Sequence, residues 1–500
     1  MERLKGLKKM TTAPTRPVED FETVLHSPPG APFGFRIAVR GAGAALSFEV
    51  AGADPLTGSA KTREYGLPSR EHSSYTDFFE ALATDFGSRL PVGRRPPPAS
   101  ATFEAPYRAL LTSNLAPGIL YGYGDPAVLR VEGRDAVDGA WYYLLATSND
   151  APDSLPIIRS RDLSEWEFVG FVFPGGSKPA WAAEGESVAD YWAPEMHAVG
   201  GEFRVYFVAR DRETRELCIG VAKSSSPGGP FDAAPEPLMK GDVIDPHVFV
   251  DEDGTALLFW KKDNNALWPG RLNDLLRAHP RLTAEVFPRR EDQITASLVQ
   301  TLWPWARTLG PMEQFFVQHP VIEAVAENFS ACYERLKGLS GGRAGGGEVG
   351  DAVRGVLRVM RTPVYARRLS PDGLSLSGGR TKIIENDQPW EAHLVEGMWV
   401  TKQGGKYYLL FAANDFTTER YGIGAAVADS ALGPYRKLPG PVLRSTAEWT
   451  GPGHPSVAAG PDGVPRLFLH AYFPGRLGYK EFRALLTVAV SFGEDGLLFR

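Results

Sequence analysis

Residues 244–261 read Ile-Asp-Pro-His-Val-Phe-Val-Asp-Glu-Asp-Gly-Thr-Ala-Leu-Leu-Phe-Trp-Lys. An acid beside proline opens a strand, Asp251 and Asp253 supply hairpin-turn chemistry, and an aromatic-rich apolar run brings the chain back. The same order recurs elsewhere. Gly-Asp-Pro at Asp125 precedes Trp141–Thr147, and Trp-Ala-Pro-Glu at 192–195 precedes Phe203–Ala209. Val-Glu-Gly at Glu396 precedes Lys406–Ala413, and Gly-Pro-Gly-His at His454 precedes Pro465–Tyr472. With Asp125, Ala193, Asp245, Glu396 and Gly453 as phase markers the steps are 68, 52, 151 and 57 residues, so one step carries an insertion of about 90. Self-similarity at such a period, built from several short strands, marks a β-propeller. The chain therefore reads as all-β: a five-bladed β-propeller with a helical insertion in the third blade and a small N-terminal extension.

Strand counts inside the repeats agree. The first holds four apolar runs at Pro126–Val131, Trp141–Thr147, Ile157–Ser160 and Trp166–Phe173. The fourth holds Gly397–Lys402, Tyr407–Ala413, Gly422–Val427 and Tyr435–Leu443, whereas the third breaks after Trp260 and resumes at Pro363–Arg368 and Lys382–Ile384. Between Arg271 and about Met360 apolar residues recur at three and four, as in Ile294, Leu298, Leu302 and in Val321, Val325, Phe329, Tyr333, Leu336. Pro320 is expected in the first turn of the middle helix and Gly338 just past its end, with the glycine-rich stretch 338–350 as a flexible connector. Residues 1 to about 30, rich in Pro, Thr and charge, are expected to lack fixed structure. A hairpin is expected between Phe33 and Val50, and a helix through Tyr75, Phe78, Phe79, Leu82 and Phe86. The Pro-rich stretch 94–98 marks the boundary before the propeller. The division is thus 1–100 extension, 101–271 first propeller part, 272–358 insertion and 359–500 second propeller part.

Composition narrows the function. A 500-residue chain that is 43% hydrophobic can bury a large core, and its net charge of -6 without a long basic run argues against nucleic acid and anionic membrane as partners. Two cysteines, Cys218 and Cys332, make no disulfide framework and read as buried apolar fillers. The start Met-Glu-Arg-Leu-Lys-Gly-Leu-Lys-Lys has no apolar stretch behind it and no later segment has membrane-spanning length, so a cytoplasmic location is expected. The first strand of each propeller blade lines the channel, which brings Asp125, Asp245, Glu396 and His454 together. Gathered carboxylates repel and raise at least one pKa, the condition for acid and base work at neutral pH. Each has a plainer reading as well: an Asp before Pro is commonly a turn former, and Glu396 competes with Glu391 and Glu195.

The ordered motifs resemble glycoside hydrolase family 43. They are Tyr-Gly-Asp-Pro-Ala-Val at 123–128, Ser-Arg-Asp-Leu-Ser-Glu-Trp-Glu-Phe-Val-Gly at 160–170, Tyr-Trp-Ala-Pro-Glu-Met-His at 191–197, Ile-Asp-Pro-His at 244–247, Val-Glu-Gly at 395–397 and Gly-Pro-Gly-His-Pro-Ser-Val at 451–457. The resemblance covers roughly residues 115 to 495 apart from the insertion. It implies a five-bladed propeller of inverting enzymes acting on arabinose- and xylose-containing glycans, with Asp125 as general base, Glu396 as general acid and Asp245 tuning the acid and orienting substrate. Inversion by two carboxyl groups about 6.5–9.5 Å apart suits side chains facing across a channel. No cofactor is required for that chemistry. By the same resemblance His454 matches a histidine that binds a channel calcium or sodium ion in many relatives. Met398 departs from the family pattern, which often has proline there. Trp192 is expected either to stack on a sugar face or to fill the propeller core, and Arg476 to reach a sugar hydroxyl. The insertion is expected to be a lid over the site, a homo-oligomer interface or a helical pack on the rim. The substrate class is carbohydrate, with exo action if the insertion closes one end of the groove. Other propeller glycosidases or phosphorylases, and an inactive carbohydrate-binding propeller, are the alternatives.

Overall fold

The structure, a computed structural model, describes residues 20–500 except 43–44, 95–102, 134–138, 186–188, 266, 342–346 and 494–495. The alternation Phe35, Ile37, Val39 and Leu46, Phe48, Val50 buries all six side chains. It falls in the second and third strands of an antiparallel sheet of β1 (Phe21–His26), β2 (Arg36–Ala42), β3 (Ala45–Ala53) and β4 (Ala60–Leu67). β1 corrects the expectation that residues up to about 30 lack fixed structure: Phe21 and Leu25 turn to one face and pack on the core under β2. Residues 1–19 lie outside the described residues, as do 95–98 of the Pro-rich boundary. Helix α1 (His72–Phe86) buries Tyr75, Phe78, Phe79, Leu82 and Phe86 and ends on the left-handed Gly87.

After β5 (Arg108–Leu111) the chain lays down antiparallel sheets one after another. The first is β6 (Ala127–Val131), β7 (Trp141–Leu145), β8 (Ser154–Ser160) and β9 (Trp166–Phe173). The second is β10 (Trp192–Val199), β11 (Glu202–Arg210), β12 (Leu217–Ser224) and β13 (Asp232–Ala233). The third begins with β14 (Val243–Val250) and β15 (Ala256–Lys262). It is then interrupted by α2 (Leu267–Ala278), α3 (Leu282–Val286), α4 (Arg290–Ala306), α5 (Pro311–Glu327), α6 (Phe329–Gly341) and α7 (Glu348–Val359). β16 (Val364–Leu369) and β17 (Leu376–Ile384) complete it. The fourth is β18 (Val395–Gln403), β19 (Lys406–Ala413), β20 (Gly422–Ala428) and β21 (Arg436–Lys437). The fifth is β22 (Thr450–Ala459), β23 (Pro465–Tyr472), β24 (Arg483–Gly493) and β25 (Gly496–Phe499). The opening strands touch in a ring, β6 to β10 to β14 to β18 to β22 and back to β6. β5 pairs with β24, so the start of the propeller closes its last sheet.

One backbone feature repeats around this ring. The ladder slips between Trp192 and Glu195, Ile244 and His247, Glu396 and Trp399, and Gly453 and Ser456. At these slips Ala193, Asp245, Gly397 and His454 have φ of 44°, 56°, 55° and 51°, and Asp125 before β6 has 53°. The structural phase of the repeat thus falls on Gly397 and His454, one residue beyond the sequence markers Glu396 and Gly453. A bulge re-aims side chains. In the first and third sheets the left-handed residue itself carries the carboxylate, whereas in the fourth the preceding Glu396 does.

The insertion and the N-terminal unit share one core. Phe48 stacks on Phe78 at 4.5 Å and meets Trp305 of α4 edge-on at 5.5 Å. Helix α5 begins at Pro311, where a missing N–H costs nothing, so Pro320 lies in its interior and not in its first turn. Burial of Val317, Val321, Ile322 and Val325 outweighs the interior proline. Gly338–Gly341 belongs to the last turn of α6, and Glu348–Gly350 starts α7, so the connector is shorter than the glycine run suggests. Both cysteines are free and buried.

Arg89, wholly buried after α1, ties the two parts together through Asp292 at 3.1 Å, Glu323 at 3.8 Å and Glu327. Replacing it with a neutral side chain leaves buried carboxylates uncompensated. Arg89→Met should lower unfolding free energy by about 3–5 kcal/mol, measured by urea denaturation at pH 7.

Candidate active site

The left-handed turns aim their side chains at one spot. Asp125, Asp245, Glu396 and His454 all line a cavity of about 350 Å³, with Trp192 on its wall. That volume lies in the range of small-molecule sites.

Asp125 is the most heavily supported acid. Its Oδ1 accepts from Arg483 Nη1 at 2.9 Å, and its Oδ2 accepts from the Thr147 hydroxyl. Its own amide donates to His470 Nδ1 at 3.0 Å. Burial opposes ionisation, but the Arg483 guanidinium, then His454 and His470, and the Thr147 hydrogen bond outweigh it. The carboxyl is held well below the ordinary carboxylate range.

Glu396 has the opposite setting. Its Oε1 accepts from the Tyr421 hydroxyl at 2.8 Å and its Oε2 from Lys261 Nζ at 3.1 Å. Burial raises its pKa and the Asp245 charge adds to the rise; Lys261 opposes both without cancelling them. Asp245 Oδ2 accepts the Gly397 amide at 2.9 Å, so it pins the backbone turn that presents Glu396. Gly397 is required there, because a Cβ would come within 3.0 Å of His454.

The competitors of Glu396 are used elsewhere. Glu391 sits in the turn Pro389–Glu391, ion-paired to Lys437 and accepting the amides of Asp387 and Gln388. Glu195 accepts the Val248 amide at 2.8 Å and faces His247 Nδ1 at 2.7 Å, tying the second sheet to the third. The Val400 amide donates to His247 Nε2, which extends this link to the fourth sheet and leaves the proton on Nδ1.

Trp192 donates from Nε1 to Asn149 at 3.0 Å while its ring packs with Val208, Leu217 and Ile244. Arg476 departs from expectation. Its side chain is 73% exposed near Glu481 and takes no part in the cavity wall. Arg483 on β24 is the arginine of the site. Its position is set by β24 passing the Tyr121–Tyr123 segment, where backbone hydrogen bonds join Arg483 to Tyr121 and Tyr123. His454 places Nδ1 3.4 Å from Asp125 Oδ1. Among the described residues no three His, Cys, Asp or Glu side chains gather to hold a metal ion.

Sequence reasoning missed Arg483, Lys261, Tyr421, Thr147 and His470. Lys261 carried a usable signal, a lysine closing the apolar run Leu257–Trp260. Among the described residues of the insertion, Leu267 of α2 and Pro311, Met312 and Phe315 of α5 reach the cavity.

The family profile of glycosyl hydrolases family 43 matches residues 118–285 and 358–498, stepping over most of the helical insertion. A xylosidase/arabinosidase of Bacteroides ovatus is 24% identical over 305 residues, 61% of this chain and 71% of that protein. Xylosidase/arabinosidase 43A of Humicola insolens is 44% identical over 81 residues, which span 16% of this chain and 23% of the relative. Among solved structures, a thermostable family-43 glycoside hydrolase superposes with a TM-score of 0.52 at 25% identity, covering 78% of this chain and 96% of its own.

The Asp125 setting has a consequence for stability. A depressed carboxyl pKa contributes stability that is present above the unfolded value near about 3.9 and is lost as pH falls toward the folded one. Arg483→Met should remove this contribution, lowering stability at pH 7 by about 3–5 kcal/mol and flattening its loss below pH ~4. Urea titrations between pH 3 and 7 measure both.

Proposed function

This chain belongs to glycosyl hydrolases family 43, and from that premise we propose that it is an inverting glycoside hydrolase releasing arabinofuranosyl or xylosyl units from oligosaccharides or glycans by exo action. One observation carries the reading. Two carboxyl groups in a single cavity are driven in opposite directions, Asp125 toward the carboxylate and Glu396 toward the acid. Titratable pairs whose environments push their pKa values apart supply acid and base assignments.

Glu396 gives its proton to the glycosidic oxygen as the bond from that oxygen to the anomeric carbon breaks. Asp125 takes a proton from a water that attacks the same carbon from the opposite face, so the new C–O bond has inverted configuration. Asp245 acts through Glu396, by its charge and by its grip on the Gly397 amide. The sugar class is supported by relatives named for xylosidase and arabinosidase activity. Exo action is supported by the insertion, whose Met312 and Phe315 wall part of the cavity.

Wild-type protein should release the aryl group from an α-L-arabinofuranoside or a β-D-xyloside, and proton NMR should detect the inverted anomer first. Asp125→Asn and Glu396→Gln should each lower kcat by about 10²–10⁴-fold. Glu396→Gln should keep more activity on acidic leaving groups, which depart without protonation. A retained anomer would sink the inverting assignment. Binding without turnover of either sugar would favour a carbohydrate-binding role.

A further inference from the structure

Lys261 is a charged group in direct contact with Glu396 that the two-carboxylate scheme leaves unused. It closes the apolar run of β15, and its side chain is wholly buried. The propeller frame does not demand it. In the first strand pair of successive sheets Trp192 faces Val208, Ile244 faces Lys261, Glu396 faces Ala412 and Gly453 faces His470. Equivalent positions therefore accept an apolar side chain, and a buried ammonium costs several kcal/mol unless it is paired.

Its partners define what it can do. Nζ donates to Glu396 Oε2 at 3.1 Å, and Asp263 and Asp245 are the other charges acting on it. Glu396 itself faces Lys261, Asp245 and the Tyr421 hydroxyl, which lies 2.8 Å from Oε1. An ammonium only donates, whereas a hydroxyl donates or accepts. Oε2 is thus held as an acceptor whether Glu396 is protonated or not, and an acid proton is favoured on Oε1.

We propose that Lys261 is a positioning residue for hydrolysis: it fixes Oε2 as the acceptor oxygen, so that the proton leaves from Oε1, and it stabilises the carboxylate left behind. This rests on reading Glu396 as the acid. In the step, the Oε1–H bond breaks and the proton joins the glycosidic oxygen. The electron pair of the departing C–O bond stays on that oxygen, and negative charge develops on Glu396 beside the ammonium. An interaction stronger in the transition state than in the ground state accelerates the reaction.

The test is a series of aryl glycosides of rising leaving-group pKa. Lys261→Met should cost kcat little on the most acidic leaving group and about 10²-fold or more on the most basic, since it weakens proton donation. KM should stay nearly constant. The alkaline limb of kcat/KM should move to higher pH, because the charge that favours the carboxylate is gone. Lys261→Gln keeps a donor without charge, so its limb should move likewise while part of kcat returns. An equal loss on every leaving group with an unmoved limb would overturn the proposal. Should neither variant fold, infrared spectra of native protein against Glu396→Gln decide: the Glu396 C=O stretch should lie at the low frequency of a strongly hydrogen-bonded carbonyl, and a free-carbonyl frequency overturns the idea. If Glu396→Gln itself shows no leaving-group dependence, the acid assignment falls; if it does and Lys261→Met does not, only the role of Lys261 falls.

Discussion

The left-handed residue in or just before each innermost strand is the constraint from which the site follows. Asp125, Ala193, Asp245 and His454 are not glycine yet have φ between 44° and 56°, a conformation that costs of order 1–3 kcal/mol each. The cost is met by hydrogen bonds between sheets at the same level. Thr147 donates to Asp125 and accepts the Ala193 amide, Asp245 accepts the Gly397 amide, and His470 accepts the Asp125 amide. Ring closure and site geometry are therefore one structure. The bonds that hold the strained turns are made by the side chains that line the cavity, or by their nearest supports.

Given that geometry, the difference between the two acids comes from their counter-charges. Glu396 is buried and the Asp125 side chain is 15% exposed, and desolvation alone would push both toward the neutral form. Asp125 has an arginine, two imidazoles and a hydroxyl against it, enough to reverse the effect of burial. Glu396 has one ammonium and one hydroxyl, and the Asp245 charge works on the side of burial. Opposite protonation tendencies thus arise without any difference in acid chemistry between the two side chains. Arg483 and Lys261 matter as much as the carboxylates they face.

The repeat, the sheet order and the meeting of Asp125, Asp245, Glu396 and His454 were legible because each is local. Turn residues and apolar runs recur at readable spacing, and channel-facing positions follow from the repeat. The sequence markers Glu396 and Gly453 stand one residue early because the repeating property is a backbone angle, which Gly397 and His454 carry. Arg483 was not legible. It belongs to the third strand of the last sheet, and nothing in its neighbourhood distinguishes it from Arg476 seven residues earlier, which points to solvent. Only β24 pairing beside Tyr121–Tyr123 selects between them. The helix bounds of the insertion were misread for a related reason: Pro320 is a breaker by local rules, and tertiary burial of its neighbours overrides those rules.

The insertion cannot be understood as a decoration on the third sheet. Its core is completed by β1–β4 and α1, from the opposite end of the sequence, and Arg89 holds three of its acids. The family profile omits most of this body, matching up to residue 285 and again from 358. Yet Met312 and Phe315, which stand in the omitted stretch, share the cavity with Asp125 and Glu396. Chemistry and enclosure are thus carried by separate parts of the chain. The propeller fixes where Asp125 and Glu396 stand. A body folded from two distant segments contributes apolar wall beside them, so the shape of the cavity is set in part by residues outside the family pattern.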